Sequence, residues 1–228
     1  MRACLFSGGK DSTLALHKAS AEKNIDLLIT MVPENEDSYM FHKANIAYTS
    51  LQAKALGIEQ KLFYTKGEKE LELKDLENAL VESNVSELVT GATASEYQRS
   101  RIEAICRKYG IKHIAPLWHI NPIEELNELS RNYYVIITKV SAEGLDDSFL
   151  GERINAKLIE RLSILNKKYG LNMLFEGGEA ETFVLDAPLF RKSIKINIAR
   201  KEWNGMIGFY VIEKAELIEK LNTSRPSP

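Results

Sequence analysis

Only two cysteines occur among the 228 residues, Cys4 inside an apolar run and Cys106 in a helical pattern. With no CxxC pair, neither a disulfide framework nor a zinc site is expected, and a reducing, cytoplasmic setting fits. Long apolar runs are missing as well. The longest span about eight residues, against the roughly 20 needed to cross a bilayer, so membrane insertion is not expected. Met1 to Phe6 leads directly into a glycine pair, leaving no room for a secretory leader. Charge of one sign is not in excess either: 30 basic and 32 acidic residues give a net charge of -2, so there is no global footprint for nucleic acid. What is present, 44% hydrophobic and 27% charged residues, suffices for a substantial core in one large domain or two small ones.

From Met1 to about Trp118 short apolar runs alternate with amphipathic segments, the pattern of strand-helix-strand units around a parallel sheet. The runs are Ala3 to Phe6, Leu27 to Val32, Leu62 to Tyr64, Leu88 to Thr90 and Ile111 to Ala115. Right-handed crossovers make them one doubly wound, Rossmann-like sheet. Ala47, Leu51 and Ala55 recur every four residues; Ile102, Ile105, Cys106 and Tyr109 fall at i, i+3, i+4 and i+7 before a terminating Gly110. The Lys/Glu-rich stretch from Glu68 to Ser83 reads as a helix with a solvated face.

Beyond Trp118 the pattern changes to a helix around Pro122 to Ser130, a strand at Tyr133 to Lys139, and a helix carrying Leu158, Leu162 and Leu165. Ile194, Ile196 and Ile198 alternate with polar residues, and Met206 to Ile212 can pair with them across a turn at Asn204-Gly205. The expected organisation is a nucleotide-binding unit over 1–120, a smaller α+β unit over 121–222, and a disordered Pro/Ser tail over 223–228.

Ser7-Gly8-Gly9-Lys10-Asp11-Ser12 follows the first strand and opens the first helix, so backbone N–H groups and the helix dipole converge on an anion site. Gly8 and Gly9 permit close approach of a phosphate, Ser7 and Ser12 offer hydroxyls, and Lys10 adds positive charge. The loop is neither G-x-x-x-x-G-K-[ST], since no glycine stands five positions before Gly9, nor G-x-G-x-x-G. Asp11 among phosphates is best read as a Mg²⁺ holder, with a first-turn helix acid as its bland alternative.

Two further stretches carry chemistry. Gly91-Ala92-Thr93 leads a strand out beside the first loop, followed by Ser95 and Gln98 in capping-box spacing. Arg99 and Arg101 sit about 200° apart on a helix. Arg99 is placed to pair with Glu103 at i+4, which leaves Arg101 as the phosphate or substrate contact. In Glu176-Gly177-Gly178-Glu179-Ala180-Glu181-Thr182, three glutamates surround a glycine pair. A turn needs the glycines but not the acids, so the loop is suited to a cation, an ammonium group or a general base. Tyr39 and His42 lie after the second strand in a loop able to cover a ligand. His17, His113 and His119 are read as packing or surface residues, and Trp118 and Trp203 as core or interface anchors.

The hexapeptide resembles the signature of the PP-loop ATP pyrophosphatases of the adenine nucleotide alpha hydrolase-like superfamily. Together with Glu36-Asp37-Ser38-Tyr39-Met40-Phe41-His42, the 91–103 stretch leading to Ala115-Pro116-Leu117-Trp118, and the 176–190 stretch ending in Asp186-Ala187-Pro188-Leu189-Phe190, it resembles the diphthine-ammonia ligase family from Met1 to about Phe190. The departure is Ala180, where that family usually has Tyr or Phe.

The resemblance implies an ATP- and Mg²⁺-dependent ligase that adenylates diphthine on translation elongation factor 2 and amidates it with ammonium. Lys10, Asp11, Glu176, Glu179 and Glu181 would be catalytic. Ser7, Gly8, Gly9, Lys10, Asp11, Ser12, Gly91, Ala92 and Thr93 would bind ATP. Tyr39, His42, Gln98, Arg101, Gly177, Gly178 and Thr182 would meet the substrate. The chain is too short for a separate glutaminase domain, so free ammonium is the expected nitrogen source, no nucleic acid is required, and oligomerisation is left open. The alternatives are a transfer-RNA-modifying PP-loop enzyme and a non-catalytic nucleotide sensor. Thiolating variants need reactive cysteines near a motif, and a sensor has no use for the acidic loop.

Overall fold

A computed structural model describes residues 1–34, 45–66 and 69–220. Its first half alternates β1 (Arg2–Leu5), α1 (Lys10–Ser20), β2 (Leu27–Pro33), α2 (Thr49–Leu56), β3 (Glu59–Thr65), α3 (Lys69–Glu82), β4 (Glu87–Val89), α4 (Glu96–Lys108) and β5 (Lys112–Ile114). The strands form one parallel sheet in the order β3-β2-β1-β4-β5. Apolar residues run continuously along the central strands because both faces are covered. Ala3, Leu27, Ile29 and Leu88 face one side, against Leu76 and Leu80 of α3 and Ile102 and Cys106 of α4. Their neighbours Cys4, Leu28 and Val89 point the other way, as a period of two requires, and meet Leu14 of α1 and Ala53 of α2. The order reverses between β1 and β4, which opens a crevice at their carboxyl ends.

The second half comprises α5 (Pro122–Asn132), β6 (Tyr134–Val140), α6 (Ala156–Tyr169), β7 (Ala180–Asp186), β8 (Lys192–Trp203) and β9 (Gly208–Glu219). Asn121 caps α5 by accepting from the N–H groups of Ile123 and Glu124, with Pro122 preset at the first helical position. Asn155 caps α6 in the same way, and Gly170 closes it in the left-handed conformation at φ 72°. The strands form a separate sheet, β7-β6-β9-β8, with antiparallel pairings throughout. Val135, Ile137 and Val184 from this sheet belong to the same buried cluster as Phe6, Leu14 and Leu28, so one core is continuous between the two sheets. No helix among the described residues is long and apolar enough to cross a membrane.

The hairpin expected around Asn204-Gly205 forms between β8 and β9, with Trp203 opposite Gly208. Trp203 departs from its reading as an anchor. It lies at the hairpin end, 38% exposed, with one edge against Gly208 of β9. Trp118 does stack, with the Arg99 guanidinium 4.2 Å from its ring centre. Residues 223–228 lie outside the described set.

His17 ties α1 to the connection between β7 and β8. Its Nδ1 donates to the Thr13 carbonyl at 2.8 Å, and its Nε2 accepts from the Leu189 N–H at 3.0 Å. That arrangement requires a neutral ring, and burial, chiefly, lowers its pKa from 6.5 to about 4. The folded state therefore binds fewer protons than the unfolded chain between those values. The stabilisation is fully present above pH 6.5 and is lost as pH falls through about 4, with an upper limit of about 3 kcal/mol. His17→Ala is expected to lower the melting temperature at neutral pH and to flatten its decline between about pH 6.5 and 4, as calorimetry across that range would show.

Candidate nucleotide-phosphate site

β1 delivers the chain into the crevice, where Gly8 turns with φ 77° and Gly9 takes the extended N-cap position of α1. A side chain at Gly8 would strike Gln52, since its Cβ would lie 2.2 Å from Gln52 Oε1. Gln52 Nε2 instead donates to the Gly8 and Val184 carbonyls, both at 2.8 Å, and Val184 N donates to Gly8 O at 3.0 Å. On the other side, the N–H of Lys10 donates to Thr182 Oγ1 at 3.0 Å. The loop is thus clamped between α2 and the start of β7. Ser7 and Ser12 meet through their hydroxyls at 3.1 Å, and Ser12 also donates to Gly9 O at 3.2 Å.

Gly91 carries the end of β4 against α1. A Cβ there would lie 2.7 Å from Asp11 C and Ser12 N, both backbone atoms that cannot yield without moving the loop. Gly91→Ala is expected to cost about 3 kcal/mol by overpacking. It should also weaken nucleotide binding, which melting curves with and without ATP would separate.

Electrostatics centre on Lys10. Its side chain is 1% exposed; Nζ pairs with Asp11, lies 3.6 Å from Glu125 Oε1 and sits 5.9 Å from the centre of the Phe175 ring. Burial pulls the ammonium pKa down, but the Asp11, Glu125 and Glu176 carboxylates together outweigh it, so the net direction is up and Lys10 stays cationic. Glu125 is pushed up to about 8, first by burial; Lys10 opposes that rise, while Asp11 and Glu176 add to it. Glu176 also rises, chiefly through burial, although Thr93 Oγ1 donates a hydrogen bond to its Oε1. One buried cation thus faces three acids, and burial favours the neutral form of Glu125 at neutral pH.

The sequence-expected residues separate into distinct positions. Glu176 meets Thr93 beside Lys10, while Glu181 pairs with Lys139 at 2.9 Å. Glu179 turns inward instead, accepting from the N–H groups of Gly177 at 2.8 Å and Asn172 at 3.3 Å, and so shapes its own loop. Gly178 supplies the φ of 83° that this turn requires. Ser7, Gly9, Lys10, Asp11, Phe175, Glu181 and Thr182 line one cleft of about 110 Å³. Arg101 lies over the Tyr97 ring at 3.5 Å, and Arg99 pairs with Glu103 at 2.6 Å as its spacing suggests. Gln98 falls on α4, but its side chain lies outside the described set, as do Tyr39 and His42. A larger groove of about 710 Å³ opens at the opposite end of the second sheet, between Tyr134, Leu185 and Ile218, and includes none of the loop residues.

Glu125 is the residue that sequence reading passed over. Its signal was present: on a helix it shares a face with Leu129 at i+4 and borders Leu126, so an acid occupies the apolar stripe. Only the docking of α5 over α1 makes that placement a neighbour of Lys10.

A glycine loop at the reversal point of a parallel sheet, with its lysine buried among acids, defines a Rossmann-like protein built to hold phosphate groups. Within that class the chain belongs to the diphthamide synthase family: residues 1–113 match its N-terminal domain and 121–218 its C-terminal domain. It is 34% identical to the human protein named diphthine--ammonia ligase, over 86% of this chain and 82% of that one. The zebrafish protein of the same name is 34% identical, over 85% of each chain. The budding-yeast one is 27% identical over 82% of this chain, which matches 33% of that longer protein. Among solved structures, one titled as a predicted subunit of tRNA methyltransferase from Methanocaldococcus jannaschii aligns with a TM-score of 0.42 and 17% identity. It covers 82% of this chain and 98% of that one, and a likeness of that size carries no argument about function.

Proposed function

We propose that this chain is a diphthine-ammonia ligase acting in the cytoplasm on elongation factor 2. The observation that carries the reading is the meeting of the SGGKDS loop with Glu181 and Thr182 at one cleft, with Glu176 near enough to act on the Lys10 charge, so that the phosphate cradle and the acidic loop act on the same ligand. ATP is held with its β- and γ-phosphates against the first turn of α1 and the Lys10 ammonium. A carboxylate oxygen of diphthine attacks the α-phosphorus; the bond to the bridging oxygen breaks, and pyrophosphate leaves with the negative charge that Lys10 and the helix N-terminus neutralise. Ammonia then adds to the acyl carbon and AMP departs. Glu176, raised by burial, accepts a proton released from ammonium.

Among the described residues no cluster of three or more His, Cys, Asp or Glu groups is spaced to hold a metal. That fits an ion delivered on the nucleotide, since Mg²⁺ commonly takes one or two carboxylates plus phosphate oxygens. Asp11 would be its protein ligand, and when bound it would add to the neutralisation of the leaving pyrophosphate.

The deciding experiment is ATP turnover with Mg²⁺ and ammonium, with and without diphthine-bearing elongation factor 2, separating AMP from ADP. AMP and pyrophosphate formed only when factor and ammonium are both present support the ligase. AMP formed with transfer RNA instead, or ADP as the product, overturns it.

A further inference from the structure

The turn joining β8 to β9 exposes three apolar side chains together: Met206 is 79% exposed, Ile207 39% and Trp203 38%. The turn holding them is tightly built. Asn204 Oδ1 accepts from the N–H groups of Met206 at 2.9 Å and Ile207 at 2.8 Å, Asn204 N donates to Ile207 O at 3.2 Å, and Gly205 takes φ 94°. Trp203 is laid against Gly208, where a Cβ would fall 2.6 Å from Trp203 Cε3. A tip whose backbone is held by its own hydrogen bonds presents a Trp and a Met, residue types enriched at the centres of protein interfaces.

Its position gives it a purpose. Ala180, which lines the phosphate cleft, pairs with Val140; Val140 pairs with Gly208; Gly208 pairs with Trp203. One row across the sheet therefore runs from cleft to tip, three strand spacings or about 14 Å. Ser141, next along β6, donates to Glu179 O at 2.8 Å and to Gly178 O at 2.6 Å, so the acidic loop and the tip lie at the same end of the sheet. A protein delivering a side chain into the cleft covers about 800 Å² of this chain, a disc of roughly 16 Å radius, which reaches the tip. Nearby charges are already engaged: Arg200 with Glu202 and Glu213, and Lys201 with the Asp147 carbonyl. The recognition offered is apolar.

We infer that the β8–β9 tip, through Met206, Ile207 and Trp203, is a docking surface for the protein that carries the residue to be amidated. The inference rests on the ligase reading. The test is steady-state kinetics of Met206→Ser, Ile207→Ser and their combination, with diphthine-bearing elongation factor 2 as the varied substrate. The double variant is expected to raise KM for the factor at least about 10-fold, with kcat at saturation and ATP affinity unchanged. Both residues are exposed, so folding is not at issue; melting curves verify it. Normal wild-type turnover with an unchanged KM in the double variant would overturn the docking surface alone. So would wild-type self-association that the double variant abolishes without a change in KM. Absence of AMP formation by the wild type would remove the ligase reading and this inference with it.

Discussion

Lys10→Ala is expected to slow pyrophosphate release on the order of 1,000-fold and to lower stability by about 3 kcal/mol. The rate follows from geometry: the ammonium is 1% exposed at the mouth of α1, so no solvent cation takes its place as charge grows on the leaving group. The stability loss follows from what stays behind, since Asp11, Glu125 and Glu176 keep their positions without the cation they share. Lys10→Met combined with Glu125→Met should recover most of the stability and none of the activity, because a buried pair replaced by apolar groups avoids the desolvation penalty. Chemical denaturation of the single and double variants, read as a cycle, measures the coupling. Additive effects would show that Lys10 and Glu125 do not interact as their 3.6 Å separation indicates.

Glu125→Gln separates stability from function in the opposite sense. The carboxyl titrates at about 8 in the folded protein against an ordinary 4.5, so between those values the folded state holds the extra proton. The benefit is complete below pH 4.5 and disappears as pH rises through about 8, so the wild type weakens in alkali. A glutamine stays neutral throughout. The variant is expected to match the wild type near pH 5 and to exceed it at about pH 9 by up to 3 kcal/mol, roughly 5–10 °C in melting temperature. Turnover at neutral pH is expected to stay close to that of the wild type, because a glutamine reproduces the neutral side chain that burial favours at that pH. Equal pH slopes for the two proteins would reject the buried-acid account.

Much of this arrangement was legible one residue at a time. The five apolar runs of the first half, the hairpin turn and the glycine loop depend on local chemistry: β-strand and helix periods, positive φ at Gly8, and N–H groups exposed at a helix start. Those forces act within a few residues, so the order of letters suffices to state them. Arg99 with Glu103, four residues apart, belongs to the same class. The three glutamates of the acidic loop were legible as a group but not as individuals. Only the fold turns Glu176 toward Thr93, Glu181 toward Lys139 and Glu179 back onto its own backbone.

What the chain determined by itself was therefore the class of the sheet, the anion-binding loop and the family whose motifs it carries. Tertiary structure alone decided that Gln52 and Thr182 clamp that loop from two sides, that Glu125 reaches Lys10 across 115 positions of sequence, and that the apolar hairpin tip stands on the same sheet row as the cleft. Each of these depends on how α2, α5 and the second sheet dock around the loop and α1. Long-range burial fixes that packing, and it leaves no periodicity in the sequence to announce it.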